Sequence, residues 1–141
     1  MFKTILLAVD VNTPEGSDRS AQAAISMVRA EGATLHLLNV VPDTGMAIVG
    51  ASMAADSMKN ALATAKSELG AWATDTIPQD VTCHVHVAEG TVYDQIIRTA
   101  NALDIDAIVV GAHRPELKDY LIGPNAARVA RHATQSVFVI R

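Results

Sequence analysis

Cysteine and long apolar runs are the features this sequence most lacks. Cys83 is the single cysteine in 141 residues, which excludes an internal disulfide and leaves no spaced cysteine pair for a zinc site. A reducing, cytoplasmic setting is therefore our expectation. No apolar run reaches the length that a bilayer-spanning helix needs, so we also expect no membrane insertion.

The sequence also has no excess of positive charge. The formal net charge is −4, which argues against non-specific binding to nucleic acid or to anionic membranes. Residues 1–12 contain too short an apolar stretch, and no small-residue cleavage site, for a signal peptide. The length of the chain predicts one domain over residues 1–141.

Strand and helix patterns alternate along the sequence. Nearly continuous apolar residues at 2–9 predict a strand buried on both faces, and further strands are predicted at 34–41, 81–87, 106–110 and 137–140. Apolar residues at helical spacing separate them, as in the stripe from Met58 to Trp72. Strict alternation favours an α/β fold, an open parallel sheet with helices on both faces. The third strand alternates apolar and polar residues, which predicts one solvated face at a sheet edge.

Local signals mark two helix starts. Ser17 or Asp18 is placed to cap the first helix, and Thr91 with Asp94 has the spacing of a capping box. His84 and His86 share one face of the third strand. Because no carboxylate or cysteine accompanies these two histidines, we predict a solvated edge rather than a metal site.

Motifs of enzymatic chemistry are missing. The sequence has no nucleophile elbow, no His-Glu zinc spacing and no Walker lysine, so we assign no catalytic residue. Asp10 and His113 could support slow hydrolysis if a metal and water were present.

The stretch from Ile108 to Arg141 is the most informative. An apolar strand runs into Gly111, a polar loop follows, and Gly123 precedes a helix and a closing strand. Glycine lets the backbone approach an anion, and free N–H groups at a helix start point toward it. This arrangement is typical of phosphate-binding α/β proteins.

The same stretch resembles the C-terminal signature of the universal stress protein family, and the resemblance extends over the whole chain. Gly111 and Gly123 match the first and last glycines of that signature, whereas Arg114 stands at the usual second glycine and Pro124 at the usual Ser or Thr. The run from His113 to Pro115, with Tyr120 to Ala126 after it, resembles a subgroup that carries a His-Arg-Pro variant of the nucleotide-binding loop.

The resemblance implies the adenine nucleotide alpha hydrolase-like fold: a five-stranded parallel sheet in the order 3-2-1-4-5, with four helices on its two faces. In such a sheet a ligand lies beyond the carboxyl ends of the strands where the strand order reverses, between strands one and four. Carried over by position, Ala8 and Val9 would line the base pocket, and the backbone of Val40 would contact the adenine. Asp10 would meet the ribose or a phosphate-bound metal.

The remaining positions concern ribose and phosphate. Gly111 would approach the ribose, His113 and Arg114 would face the phosphates, and Gly123, Pro124 and Asn125 would supply the helix start beneath them. Arg114 brings a cation suited to phosphate oxygens, and it could either replace the lost backbone approach or fill the pocket. Pro124 lacks an N–H but suits a first helical turn, and the side chain of Asn125 can donate in its place.

The implied function is binding of an adenine nucleotide, ATP or AMP, with Mg²⁺ as a companion of ATP, by a regulatory or stress-response module. Two alternatives stay open: a dimeric interaction protein with a degenerate pocket and an unidentified protein partner, and a slow ATP hydrolase. The closing strand is apolar and would form a sheet edge, which predicts a homodimer.

Overall fold

Strands and helices alternate along the chain, as predicted. The computed structural model describes residues 1–12, 14–42, 51–112 and 123–141, with the backbone alone for 14, 15 and 51–54. The strands are Thr4–Ala8 (β1), Thr34–Val41 (β2), Cys83–Glu89 (β3), Ala107–Gly111 (β4) and Ser136–Ile140 (β5). The helices are Asp18–Glu31 (α1), Ala51–Thr76 (α2), Val92–Ala102 (α3) and Pro124–His132 (α4), and a 3-10 helix at Pro14–Ser17 leads into α1.

The five strands form one parallel sheet in the order β3-β2-β1-β4-β5. This is the order implied by the family resemblance, and it is confirmed. Central β1 pairs with β2 on one side and β4 on the other, so that Leu6 lies in register with both His36 and Ile108. The strand order therefore reverses at β1 and β4, and the carboxyl ends of these strands open at the same edge of the sheet.

Each face of the sheet has its own apolar core. Ile5 and Leu7 pack with Leu69 of α2 and the buried side of α1, whereas Leu6 packs with α3 and α4, including Ile96. Successive side chains of a strand point to opposite faces. Because Ile5, Leu6 and Leu7 are all fully buried, β1 is covered on both faces, as its continuous apolar sequence predicts.

The two predicted helix caps were wrong in their hydrogen bonds. Ser17 occupies the N-cap position of α1 without a side-chain cap bond, because its Oγ instead accepts a hydrogen bond from the backbone N–H of Asp10 at 3.3 Å. Thr91 occupies the N-cap position of α3, again without a side-chain bond. The carboxylate of Asp94 does not bond to the backbone N–H of Thr91, because it instead accepts a hydrogen bond from Nε of Arg98 at 2.7 Å.

Several predicted boundaries also moved. β1 is Thr4–Ala8 rather than 2–9, and β4 and β5 each begin one residue away from the predicted start. β3 begins at Cys83 rather than at residue 81 and continues to Glu89, and Val81 is a buried residue just before it. α2 begins at Ala51, so it includes the end of the connection predicted at 43–52, of which residues 43–50 lie outside the described residues. In the described part, no helix combines the length and apolar character needed to cross a membrane.

Candidate functional site

A pocket of about 400 Å³ opens at the carboxyl edge of the sheet, where the strand order reverses. Its walls come from the ends of β1, β2 and β4 and from the first turns of α1, α3 and α4. Seven of the ten predicted site residues line it: Ala8, Val9, Asp10, Val40, Gly111, Gly123 and Asn125. Pro124 is the exposed first residue of α4 and does not line the pocket, whereas His113 and Arg114 lie outside the described residues.

One side of the pocket is apolar. The side chains of this apolar wall belong to the core formed by α3 and α4, and they are Ala8, Val40, Val92, Ile96 and Ala126. Such a wall presents uncharged, apolar surface to a ligand, as sites for small molecules commonly do. It suits the faces of an aromatic base.

The opposite side of the pocket, toward α1, is a polar wall formed by Ser17, Ser20 and Asn39. Their exposed fractions are only 5%, 2% and 5%, and all three line the pocket. Ser20 donates its hydroxyl to the backbone oxygen of Ser17 at 3.0 Å, and Ser17 accepts from the N–H of Asp10. Both hydroxyls are thus partly used by the protein and keep further hydrogen-bonding capacity.

The serines of this wall were missed by sequence reasoning. Ser17 has the appearance of an ordinary helix cap, which hides any second role. A signal was present at Ser20, since it falls on the same helical stripe as the buried residues Ala24 and Val28 of α1. A polar side chain on a buried stripe requires a partner, because burying an unpaired hydroxyl or amide costs about 1–3 kcal/mol.

Asp10 lies at the mouth of the pocket, just beyond β1. Its Oδ1 accepts a hydrogen bond from the backbone N–H of Asn12 at 2.9 Å, and its own N–H donates to Ser17. These bonds fix the direction of an exposed carboxylate, which can accept from hydroxyl groups or ligate a hard cation.

Gly111 keeps the end of β4 open toward the polar wall. A Cβ at this position would lie 3.4 Å from the carbonyl oxygen of Gly16 and 3.8 Å from Oγ of Ser20. Any larger side chain would therefore fill the space between β4 and the start of α1.

The start of α4 is tied to β4. The N–H of Gly123 donates to the carbonyl oxygen of Ala112 at 3.3 Å, and the N–H of Ala112 donates to Ile140 at 2.8 Å. Because Gly123 is engaged and Pro124 has no N–H, Asn125 and Ala126 offer the first free backbone donors of the helix. An anion can be held there by these donors and by the helix dipole.

A second polar cluster lies on the α3 side of the sheet, away from the pocket. In this histidine cluster, His36 of β2 stacks on His84 and on His86 of β3, with ring centroids 5.1 Å apart in both pairs. Nδ1 of His36 and Nε2 of His86 lie 2.9 Å apart, so one nitrogen donates to the other. The prediction of a solvated face holds for exposed His84 but is wrong for His86, which is half-buried against His36.

Burial is the main cause that lowers the pKa of His36, and the charges of His86 and His84 lower it further. Burial likewise lowers the pKa of His86, followed by the charges of His84 and of Lys66 on α2. In the residues that the structure describes, no group of three or more histidine, cysteine or acidic side chains is arranged to hold a metal ion.

Comparison with known proteins agrees with this geometry. The profile of Usp, the universal stress protein family, matches residues 1–141. The chain belongs to the universal stress protein family. It is 32% identical to universal stress protein G of Salmonella typhimurium over 148 residues and 31% identical to universal stress protein G of Escherichia coli O157:H7 over 144, covering the full length of both.

Solved structures show the same fold. Universal stress protein UspA of Lactobacillus plantarum superposes with a TM-score of 0.79 at 21% identity, covering 99% of this chain and 98% of that one. A family member in complex with cAMP gives 0.63 at 18% identity, covering 99% and 97%. The Archaeoglobus fulgidus protein in complex with dAMP gives 0.61 at 20% identity, covering 99% and 98%. The fold is therefore adenine nucleotide alpha hydrolase-like, whereas the His-Arg-Pro subgroup stays a prediction.

Proposed function

We propose that this universal stress protein binds an adenine nucleotide, ATP or AMP, and acts as a nucleotide-responsive regulatory module. The observation that carries the proposal is the pocket at the reversal of strand order. It joins an apolar wall, a polar wall, an oriented carboxylate and a helix N-terminus within one cavity. A nucleotide needs these same environments for its base, its ribose and its phosphates.

The residues present fit such a ligand. The apolar wall can hold the faces of the base, and the carboxylate of Asp10 can accept from ribose hydroxyls. The open end of β4 at Gly111 and the free N–H groups of α4 can receive phosphate. His113 and Arg114 are proposed as the cationic side of the phosphate site. The complexes of family members with cAMP and dAMP support the proposal.

With ATP as ligand, Mg²⁺ would enter with the triphosphate. Among the described residues that line the pocket, Asp10 is the only carboxylate. A single carboxylate together with phosphate oxygens and water is a common way to hold this ion.

The direct test is to release and identify what the purified protein carries. We expect a denaturing extract, separated by anion exchange beside nucleotide standards, to contain an adenine nucleotide close to one per chain. An empty extract would be followed by thermal-shift titrations with ATP and with AMP. The proposal fails if the extract is empty and neither nucleotide raises the melting temperature.

We also propose that the protein is a homodimer that pairs through β5. Among the described strands, β5 lies at the edge of the sheet and bonds only to β4, so its outer backbone groups can pair with another strand. Its residues from Val137 to Ile140 are all partly exposed, and Phe138 packs edge-on against Phe2, with ring centroids 5.7 Å apart. An apolar, exposed edge of this kind favours association with a second copy.

Val139→Lys should convert the dimer to a monomer. A charge on each copy at the shared edge disfavours pairing through desolvation and repulsion, and the lysine stem can still cover the apolar neighbours within one chain. Sedimentation at matched concentration would measure the oligomeric state, with Val139→Thr as a control that adds polarity without charge. A folded lysine variant that remains dimeric would place the interface elsewhere.

A further inference from the structure

We propose that Asn39 reads the amino edge of the adenine base, with its side-chain amide accepting a hydrogen bond from the exocyclic amine and donating to a neighbouring ring nitrogen. This rests on the proposed function and adds to it a residue that selects the base.

Among the three buried polar residues of the pocket, Ser17, Ser20 and Asn39, only Asn39 has a side chain that the described protein leaves unpaired. Its side chain is almost fully buried, with 5% of the residue exposed. Within the described residues its amide forms no hydrogen bond, whereas the hydroxyls of Ser17 and Ser20 each form one. In the described part of the chain, every side-chain nitrogen or oxygen that is closed off from solvent has a hydrogen-bond partner. The amide atoms of Asn39 must therefore be open to the pocket that the residue lines.

The fold gives no reason for an amide at this position. Leu35 and Leu37 precede Asn39 on the same face of β2, and both are fully buried in the core beneath α1 and α2. A third apolar side chain would continue that core without the cost of burying an amide. A ligand that pairs with the amide provides the missing reason.

The place of Asn39 along the sheet edge assigns it to the base. The helix start that can hold phosphate adjoins β4, Asp10 follows β1, and Asn39 lies on β2, two strands from β4. Two strand spacings of about 4.8 Å span roughly 10 Å, comparable to the reach of a nucleoside monophosphate from phosphate to base. The carboxylate of Asp10, in the middle, disfavours phosphate and suits the ribose, so the base falls beside Asn39 and Val40.

The chemistry of the amide matches adenine. An asparagine side chain offers one acceptor and two donors, and it pairs in bidentate fashion with the amine and a ring nitrogen of adenine. A purine without the amine would leave the amide oxygen buried and unpaired. The wild-type protein should therefore bind AMP about tenfold or more tightly than purine riboside monophosphate, which differs only by lacking that amine.

Asn39→Leu should remove this preference. The substitution keeps the approximate volume and replaces the amide by an apolar group, so AMP binding should weaken about tenfold while the two ligands become nearly equal. Calorimetric titration of both ligands would measure this, with circular dichroism melts to check folding. Asn125→Leu is the matched control: the same chemical change at the start of α4 should weaken both ligands alike and leave the preference for AMP in place.

Three results would overturn the assignment of Asn39 to the base. The first is equal binding of AMP and purine riboside monophosphate by the wild-type protein, and the second is a folded Asn39→Leu variant that keeps the preference for AMP. The third is an Asn39→Leu variant that instead loses discrimination between AMP and dAMP, which would move Asn39 to the ribose. The first comparison needs no variant, so the proposal stays testable even if Asn39→Leu does not fold. If wild-type protein binds no adenine nucleotide at all, the proposed function itself fails.

Discussion

Gly111→Val should abolish nucleotide binding while the protein remains folded. The backbone of Gly111 is not in the left-handed region, which among the described glycines occurs only at Gly32 and Gly90, so a strand-forming residue can adopt its conformation. Yet a Cβ already lies 3.4 Å from the carbonyl oxygen of Gly16. The two methyl groups of valine must therefore either press on the start of α1 or enter the pocket, and we expect affinity for AMP to fall by at least about a hundredfold, or about 2.7 kcal/mol.

Gly111→Ala gives the graded comparison. Its single methyl group makes only ordinary contacts with Gly16 and Ser20, so the variant should fold normally and bind AMP with an intermediate affinity. Titration calorimetry with AMP would rank wild type, alanine and valine in that order.

Gly70→Ala is the control for adding a methyl group to a glycine. Gly70 lies within α2, and nothing comes within 4 Å of a Cβ built on it. This variant should bind AMP as wild type does, and it should be more stable by about 0.5–1 kcal/mol because alanine is the better helix former. A folded valine variant at position 111 that still binds like wild type would show that the end of β4 does not face the ligand.

The fold was predictable because its signals are local. The continuous apolar strand at 2–9 and the helical stripes follow from hydrophobic periodicity, with turn residues between them. Their strict alternation favours an α/β arrangement. Strand order depends on which strands pair, and no local pattern encodes that. The order 3-2-1-4-5 came from the family resemblance alone.

The candidate site was predictable in part for a related reason. Residues that follow parallel strands, such as Asp10 and Gly111, must gather at one edge, so the sequence order locates them. Ser20 enters the pocket only because the first turn of α1 lies beside that edge. Placing it requires the packing of helix against sheet, which a linear pattern does not contain.

The histidine cluster shows the same limit most clearly. His84 and His86 are recognisable on one strand face, but His36 is some fifty positions earlier. Only the register of β2 against β3, which pairs His36 with His84 and Leu38 with His86, brings the three rings together. The sequence therefore could not predict that two of them share a hydrogen bond and are half-buried.

That cluster should make the protein less stable in mild acid. The pKa values of His36 and His86 are lowered in the folded state, first by burial and then by neighbouring positive charge, whereas in the unfolded chain they titrate near about 6.5. Below that pH the unfolded chain binds more protons than the folded one, so the free energy of unfolding falls as pH falls. Above that pH the two histidines are neutral in both the folded and the unfolded chain, and their contribution to stability is fully present.

Urea unfolding between pH 7.5 and 5 would measure this loss as a decrease in the midpoint. Positive charge acts on both rings from His84 of β3, and on His86 also from Lys66 of α2, so both neighbours lower these pKa values in the same direction. His36→Gln removes one titrating ring and its charge on the other, and it should flatten the pH dependence. His132→Gln, which changes an exposed histidine at the end of α4 outside the cluster, should keep the loss that the cluster causes.

The carboxylates of the described residues whose pKa is clearly shifted cannot account for a loss in this range. The pKa values of Glu31, Asp80 and Asp106 are lowered by hydrogen bonds, respectively from the N-terminal ammonium, from Arg29 and from the backbone N–H of Lys3. A carboxylate with a lowered pKa loses its contribution only as pH falls below its unfolded value, near about 4. The pH ranges in which the histidine and the carboxylate contributions to stability are lost do not overlap. A decrease in the urea midpoint between pH 7 and 5.5 therefore reports on histidine. If His36→Gln shows the same decrease as wild type, the shared hydrogen bond between His36 and His86 does not govern it.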